Sequence, residues 1–157
     1  MKSIHFKSEN QAWETPQDFF DHVNYLFNFT LDACASADNY KVSAYFSEED
    51  DALIQNWHGV VWCNPPYGRH QVDFIKKAYD QHIKNGSTVV CLIPARPDTK
   101  LWQDLIFPYA DQICFIRGRL KFGDSKDAAP FPSALVVFGN KKDLSSFGKC
   151  FGSDNHA

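Results

Sequence analysis

The residues of this chain best suited to chemistry form one short run: Asn64, Pro65, Pro66 and Tyr67. The apolar stretch at 60–63, which precedes them, is typical of a buried strand. Proline cannot donate a hydrogen bond to a sheet, and two consecutive prolines prevent a helix from beginning there. The pattern therefore predicts a rigid turn at the carboxyl end of that strand. Open α/β sheets form their ligand crevices at this edge, so we expect a functional site there.

This turn would present an amide side chain, backbone carbonyl groups and an aromatic ring, and it resembles the catalytic motif of amino-methyltransferases that use S-adenosylmethionine. The Asn64 side-chain oxygen and the Pro65 carbonyl can accept the two N–H bonds of an exocyclic amine, whose lone pair is otherwise delocalised into its ring. Preorganised dipoles and positioning then favour methyl transfer without a strong base. Tyr67 can hold the base by stacking. The alternative is a purely structural turn with an asparagine cap.

The elements that must position this turn alternate between strand and helix. Thr15 and Pro16 form a typical helix start, and apolar residues recur at helical spacing after them. We predict helices at 17–27, 71–84 and 98–107, a helix or helical turn at 48–57, and strands at 29–35, 43–46, 60–63, 88–93, 112–116 and 133–138. This order predicts a three-layer, Rossmann-like α/β domain with a mostly parallel sheet. Because no helix separates the last two strands, they are expected to form an antiparallel pair at the sheet edge.

Length and composition are ordinary for one globular domain. The chain has 157 residues, of which 44% are hydrophobic and 22% charged. We expect a single catalytic domain over 1–157, with its core at 13–139, a polar and frayed tail at 140–157, and no separate target-recognition domain. No apolar stretch approaches membrane-spanning length, and no signal-peptide core follows the first residues.

The cysteines and the charges narrow the expected surroundings. Five cysteines occur without metal-type spacing, and three of them lie in apolar runs, which predicts buried thiols, no metal site and a reducing cytoplasm. The net charge is −3. Acidic residues concentrate at 48–51, whereas arginines and lysines gather in the later half, which permits one basic face on an acidic protein. Ordinary solvated charges are the alternative.

The order of several motifs resembles that of the N6-adenine DNA methyltransferases, and most closely the small phage-type (Dam-like) members. The resemblance covers roughly 13–139. Each motif is weak or moderate alone, and their order makes the match specific. The matching stretches are Thr-Pro at 15–16, Leu-Asp-Ala-Cys-Ala at 31–35, Trp-Cys-Asn-Pro-Pro-Tyr-Gly at 62–68, Leu-Ile-Pro-Ala-Arg at 92–96 and Gly-Arg-Leu-Lys-Phe at 118–122.

This resemblance implies a trimmed methyltransferase fold that transfers a methyl group from S-adenosylmethionine to a flipped adenine in double-stranded phage or prophage DNA. It implies that residues 64–67 are catalytic. It implies cofactor contacts from Thr15, Pro16, Asp32, Ala33, Cys34, Phe46 and Asp51, and DNA contacts from Arg96, Arg119, Lys121 and Phe122. Phe122, or else Phe131, would sandwich the adenine against Tyr67. The oligomeric state stays open between monomer and homodimer.

Two departures from the family pattern keep other functions open. Ala33, Cys34 and Ala35 replace the usual glycine-rich turn, and only about thirty residues separate Leu31 from Asn64, room for roughly one βαβ unit. The same chemistry on RNA adenine or on a protein glutamine amide is therefore a second hypothesis. A degenerate module that binds DNA or cofactor without turnover is a third.

Several assigned residues also have structural alternatives. Asp32 could be a turn carboxylate, and the acidic run containing Asp51 could be a solvated helix face. Arg96 could form an ion pair with Asp98. Phe46 and Phe122 could belong to the core.

Overall fold

The structure is a computed structural model that describes residues 14–122 and 129–152. Three α-helices, two shorter helical segments and six strands occur in these residues. In chain order they are α1 (Gln17–Phe27), β1 (Leu31–Asp32), a 3-10 helix (Ala52–Ile54), β2 (Val60–Cys63), α2 (His70–Asn85), β3 (Thr88–Pro94), a π-helix (Leu101–Ile106) that continues into α3 (Phe107–Tyr109), β4 (Gln112–Ile116), β5 (Ser133–Phe138) and β6 (Gly148–Gly152).

The six strands form one sheet in the order β1-β2-β3-β5-β4-β6. β1, β2 and β3 pair in parallel, whereas β5 is antiparallel to both β3 and β4, and β6 is antiparallel to β4. The α/β class is confirmed, but a mostly parallel sheet is not, because only two of the neighbouring pairs are parallel. β1 to β4 still share one direction, so their carboxyl ends meet at one edge of the sheet.

The predicted antiparallel pairing of β4 with β5 is confirmed, but its expected place at the sheet edge is wrong. β5 lies between β3 and β4, where its apolar side chains are buried on both faces. The expected fraying after Asn140 is also wrong for residues 148–152, which form the edge strand β6. This stretch has few apolar residues. Its backbone N–H and C=O groups are satisfied by pairing with β4, in a register that sets Cys150 opposite Cys114.

Both faces of the sheet are covered. α1 packs on one face through Phe20, Val23 and Phe27, and the Phe20 ring meets the Trp62 ring edge-on at 5.2 Å between centroids. α2 and the π-helix cover the other face, where Val61 and Cys63 are buried. Successive side chains of a strand point to opposite faces, so the residue that follows Cys63 belongs on the α1 side.

Cys63, Cys91 and Cys114, which were expected to be buried thiols, are free and buried. Local helices differ more from the prediction. The segment predicted to be helical at 48–57 forms only the short 3-10 helix, since the indole N–H of the fully buried Trp57 donates to the Ala52 carbonyl at 2.9 Å and folds the chain back.

Two other predicted elements also take a different form. The predicted strand at 43–46 is reduced to a single bridge between Asp32 and Tyr45. The helix predicted at 98–107 is a π-helix over Leu101–Ile106, and Pro108 just after it has no N–H with which to continue a regular ladder.

Candidate active site

The turn at 64–67 leaves the carboxyl end of β2, as the sequence predicts. β2 ends at Cys63 and α2 begins at His70, so residues 64–69 connect them without regular secondary structure. Asn64, Pro65 and Pro66 are buried, and Tyr67 is half-buried. The turn therefore presents its polar groups from a rigid, largely desolvated edge of the sheet.

The Asn64 amide is held by Thr15. Asn64 Nδ2 donates a hydrogen bond to Thr15 Oγ1 at 3.0 Å, and both residues are buried, with 6% and 3% of their surfaces exposed. Thr15 stands immediately before α1, so the start of this helix fixes the orientation of the amide. Because the amide nitrogen of Asn64 donates to Thr15, its side-chain oxygen points to the opposite side. Sequence reasoning gave Thr15 only a role toward the cofactor and missed this contact.

We expect Thr15→Val to lower kcat about tenfold, because the Asn64 amide loses the acceptor that orients it. Thr15→Ser is the matched control, since it keeps the hydroxyl and should keep near-normal turnover. Single-turnover rates with cofactor in excess measure the effect. A normal rate in the valine variant would mean that Thr15 does not set the orientation of Asn64.

Asp32, at the end of β1, is a buried carboxyl group whose pKa is raised. It is 2% exposed, and its two oxygens accept the backbone N–H groups of Cys34 at 3.2 Å and Lys41 at 2.9 Å. Burial raises its pKa to about 7, although these two hydrogen bonds and the positive charge of Lys41 act in the opposite direction. Asp32 is therefore poised to change charge near neutral pH.

Asp32 and Asn64 open onto one small polar cleft. The Lys41 side chain, only 5% exposed, closes one side of it, with Nζ at 3.0 Å from Gln17 Oε1 and 3.5 Å from Glu14 Oε2. A buried carboxylate beside a buried ammonium suits a zwitterionic ligand. Lys41 and Asn39 line this cleft, and sequence reasoning assigned neither of them a role. The complete lining is Glu14, Thr15, Asp32, Cys34, Asn39, Lys41, Trp62 and Asn64.

The stretch at 33–35, which replaces a glycine-rich turn, runs between β2 and the chain at Phe46. Ala33 N–H donates to the Trp62 carbonyl at 2.9 Å, and Ala35 N–H donates to the Phe46 carbonyl at 3.0 Å. Burial raises the pKa of the Cys34 thiol. Because the side chains at 33 and 35 are small, this stretch passes close to β2, and the cleft beside Cys34 stays open.

The structure brings only some of the expected cofactor residues to this cleft. Thr15, Asp32 and Cys34 line it. Ala33 is buried in the core cluster, Phe46 packs against that cluster, Asp51 is exposed at the start of the 3-10 helix, and Pro16 lines a groove on the outer side of α1.

An aromatic cluster lies beside the turn. The Tyr67 and Phe131 rings meet edge-on, with centroids 5.4 Å apart, and the Arg96 guanidinium lies 5.8 Å from the Phe131 centroid. Burial raises the pKa of Tyr67, so its hydroxyl stays protonated at neutral pH. Phe122 contacts Phe131 at 6.1 Å but is only 1% exposed. The structure therefore brings Phe131 to Tyr67, while both phenylalanines are buried in the core on the α1 side.

Arg119 and Lys121 lie apart from Arg96, along the groove on the outer side of α1. Both are exposed, and Arg119 Nη1 donates to the Ala129 carbonyl at 3.3 Å. His22 and Tyr25 of α1 line the same groove. Asp18 and Asp143 line it as well, so the groove carries charges of both signs.

Residues 14–122 and 129–152 contain no cluster of three or more histidine, cysteine or acidic side chains that could hold a metal ion. In the same residues, no helix is long and apolar enough to cross a membrane.

Comparison with known proteins gives consistent matches. The sequence profile described as "DNA N-6-adenine-methyltransferase (Dam)" matches residues 2–148. A DNA N-6-adenine-methyltransferase of Haemophilus phage HP1 (strain HP1c1) is 32% identical over 161 residues, which cover 97% of this chain and 92% of that protein. A DNA N-6-adenine-methyltransferase of Escherichia phage T1 is 33% identical over 90 residues, which cover 55% of this chain and 37% of that protein.

Proposed function

The chain belongs to the DNA N-6-adenine-methyltransferase (Dam) family, and from that membership we propose that it methylates adenine in double-stranded DNA with S-adenosylmethionine as the methyl donor. It is an adenine-specific DNA methyltransferase, of a kind found in phages. We place its action in the cytoplasm of the bacterial host, where unmethylated phage or prophage DNA is present.

The observation that carries this proposal is the buried hydrogen bond from Asn64 to Thr15. It orients the amide so that Asn64 Oδ1 and the Pro65 carbonyl can accept both N–H bonds of the adenine amine. These acceptors are fixed before the substrate arrives, so little reorganisation is needed as charge develops on the amine nitrogen. Tyr67 and Phe131 supply the aromatic surfaces for the extruded base.

We assign the methionine end of the donor to the cleft at Asp32, on the basis of the charged groups that line it. Asp32 can face the ammonium group and Lys41 the carboxylate, and Thr15 and Asn39 add polar groups beside them. When bound, the donor supplies a methyl group on a positively charged sulfur. Ala33, Phe46 and Asp51 do not line this cleft, and we assign them to the neighbourhood of the adenosine end.

For DNA we retain the four residues inferred from the sequence, with one change of role. Arg96 contacts phosphate or sugar next to the extruded base, and Arg119 and Lys121 contact the backbone along α1. Phe131, which already meets Tyr67, takes the stacking role, and Phe122 supports Phe131 from the core.

Lys121→Ala is expected to weaken binding across DNA sequences and to flatten the slope of log affinity against log salt by about one unit. Lys84→Ala is the control, because Lys84 is also exposed but lies at the end of α2, remote from the turn, where it pairs with Asp80. Fluorescence anisotropy over a salt series measures both slopes. An unchanged slope for the Lys121 variant would remove this lysine from the DNA contacts.

Methyl transfer from radiolabelled S-adenosylmethionine to unmethylated double-stranded DNA, followed by nucleoside analysis, tests the proposed function. Label in N6-methyladenine of duplex DNA is the expected result. Transfer only to single-stranded DNA, RNA or a protein glutamine would overturn the proposed substrate. Binding of the donor without any transfer would favour a module that has lost its catalysis.

A further inference from the structure

Ser133, the first residue of β5, has a buried hydroxyl that the mechanism above does not use. The residue is 1% exposed, and its Oγ makes no hydrogen bond within the described ranges 14–122 and 129–152. A buried hydroxyl without a partner is rare in native proteins because its desolvation is uncompensated. Such a group calls for an explanation, and a ligand that is absent from the free protein is one.

Ser133 lies at the edge of the sheet that carries the active site. It stands opposite Pro94, the last residue of β3, and β3 is the strand next to β2. The Ala95 N–H donates to the Pro132 carbonyl at 2.8 Å, which fixes the entry of β5 at this edge.

The side chain also lies on the same face of the sheet as Asn64. In β5, Ala134 and Val136 belong to the core under α2, whereas Leu135 and Val137 belong to the core under α1. Because side chains alternate along a strand, Ser133 faces the α1 side. Asn64 lies on that side too, since it bonds to Thr15 at the start of α1.

Phe131 of the aromatic cluster is close to Ser133 along the chain. It is two residues before Ser133, belongs to the core cluster on the α1 side of the sheet, and meets the Tyr67 ring edge-on. A base that stacks on Tyr67 must displace the Phe131 ring from this position. That displacement opens the space next to Ser133, because both residues lie where the chain enters β5.

The chemistry of the base limits what the hydroxyl can meet. Asn64 Oδ1 and the Pro65 carbonyl take both N–H bonds of the amine, so the polar atoms left on the adenine ring are acceptor nitrogens. N1 and N7 are the two that flank the amine. A serine hydroxyl can donate to either one.

We propose that Ser133 Oγ donates a hydrogen bond to N1 or N7 of the extruded adenine and so contributes to the choice of base. The inference rests on the proposed function, since it assigns a further contact in the same site. A hydroxyl without a partner among residues 14–122 and 129–152 gains one when the correct base enters, which makes the contact selective.

Ser133→Ala should therefore be a variant that is at least as stable as the wild type but less active. We expect its Tm to be unchanged or about 2 °C higher, because an uncompensated buried polar group is removed. Its kcat/KM on adenine DNA should fall about tenfold. Ser87→Ala is the matched control: Ser87 is equally buried, but its hydroxyl donates to the Trp57 carbonyl at the opposite edge of the sheet. That variant should lose Tm and keep its kinetics.

Base analogues identify the contact. Duplexes that carry 1-deazaadenine or 7-deazaadenine at the mapped target each lack one ring nitrogen. For one of the two analogues, the losses caused by the analogue and by Ser133→Ala should not add, because both remove the same hydrogen bond. A lower Tm, unchanged kinetics, or additive losses with both analogues would each overturn the assignment. Failure of the wild type to methylate adenine would instead overturn the proposed function before any variant is compared.

Discussion

Asn64→Ala is expected to abolish methyl transfer, with kcat at least about 1,000-fold lower and the affinity for S-adenosylmethionine nearly unchanged. The alanine removes the acceptor for the reacting amine and leaves Pro65 as the only one of the pair. The Thr15 hydroxyl loses its partner at the same time. Asp32 and Lys41 stay in place, so the donor cleft keeps its charged groups.

Single-turnover methylation and calorimetric titration of the donor separate these two effects. Asn64→Asp is the informative control, because it keeps an acceptor oxygen and loses the donor to Thr15. We expect its rate to lie between those of the wild type and the alanine variant. Turnover near the wild-type level in Asn64→Ala would remove Asn64 from the mechanism, whatever the result for the aspartate.

The second large effect is expected at Asp32, whose pKa burial raises to about 7. Below that pH the carboxyl group is mostly neutral, and above it the group is an anion that can pair with the positive charges of the donor. The affinity for S-adenosylmethionine should therefore rise between about pH 6 and pH 8, by up to about tenfold for each unit below the pKa. Asp32→Asn should weaken binding roughly 100-fold at pH 8 and flatten this pH dependence.

Titration calorimetry at several pH values measures both effects, with the far-ultraviolet spectrum and Tm checking that the variant is folded. Lys41→Met serves as a comparison, because it alters the other charged wall of the cleft and leaves the carboxylate of Asp32 in place. Persistence of the wild-type pH dependence in Asp32→Asn would show that another group titrates, and Asp32 would then be a structural turn residue.

Structural features that depend on neighbouring residues could be predicted from the sequence, whereas features that depend on distant residues could not. The turn at 64–67 and helix α1 were predicted because prolines and helical spacing act within a few residues. β6 was missed because Gly-Lys-Cys-Phe-Gly carries little apolar pattern, and its stability comes from β4, more than thirty residues away. The place of β5 inside the sheet likewise depends on pairing that no local pattern encodes.

The site shows the same division. That Asn64 would stand at a strand end could be read from its neighbours, but its contact with Thr15 joins residues 49 positions apart. The choice between Phe122 and Phe131 was left open and depends on which of the two buried rings meets Tyr67, a contact between distant parts of the chain. The raised pKa of Asp32 follows from its burial, and the sequence alone does not specify how deeply a single residue is buried.

The position of β5 between β3 and β4 has a consequence for how the protein emerges during translation. Until residues 133–138 leave the ribosome, the inner edge of β3 has no partner, and β4 cannot join the sheet at all. A nascent chain that already carries the turn at 64–67 is thus still an open half-sheet with exposed apolar strands. Such intermediates are prone to aggregate and to need chaperones. Because closure waits for β5, the sheet is complete only after residues 133–138 have been synthesised.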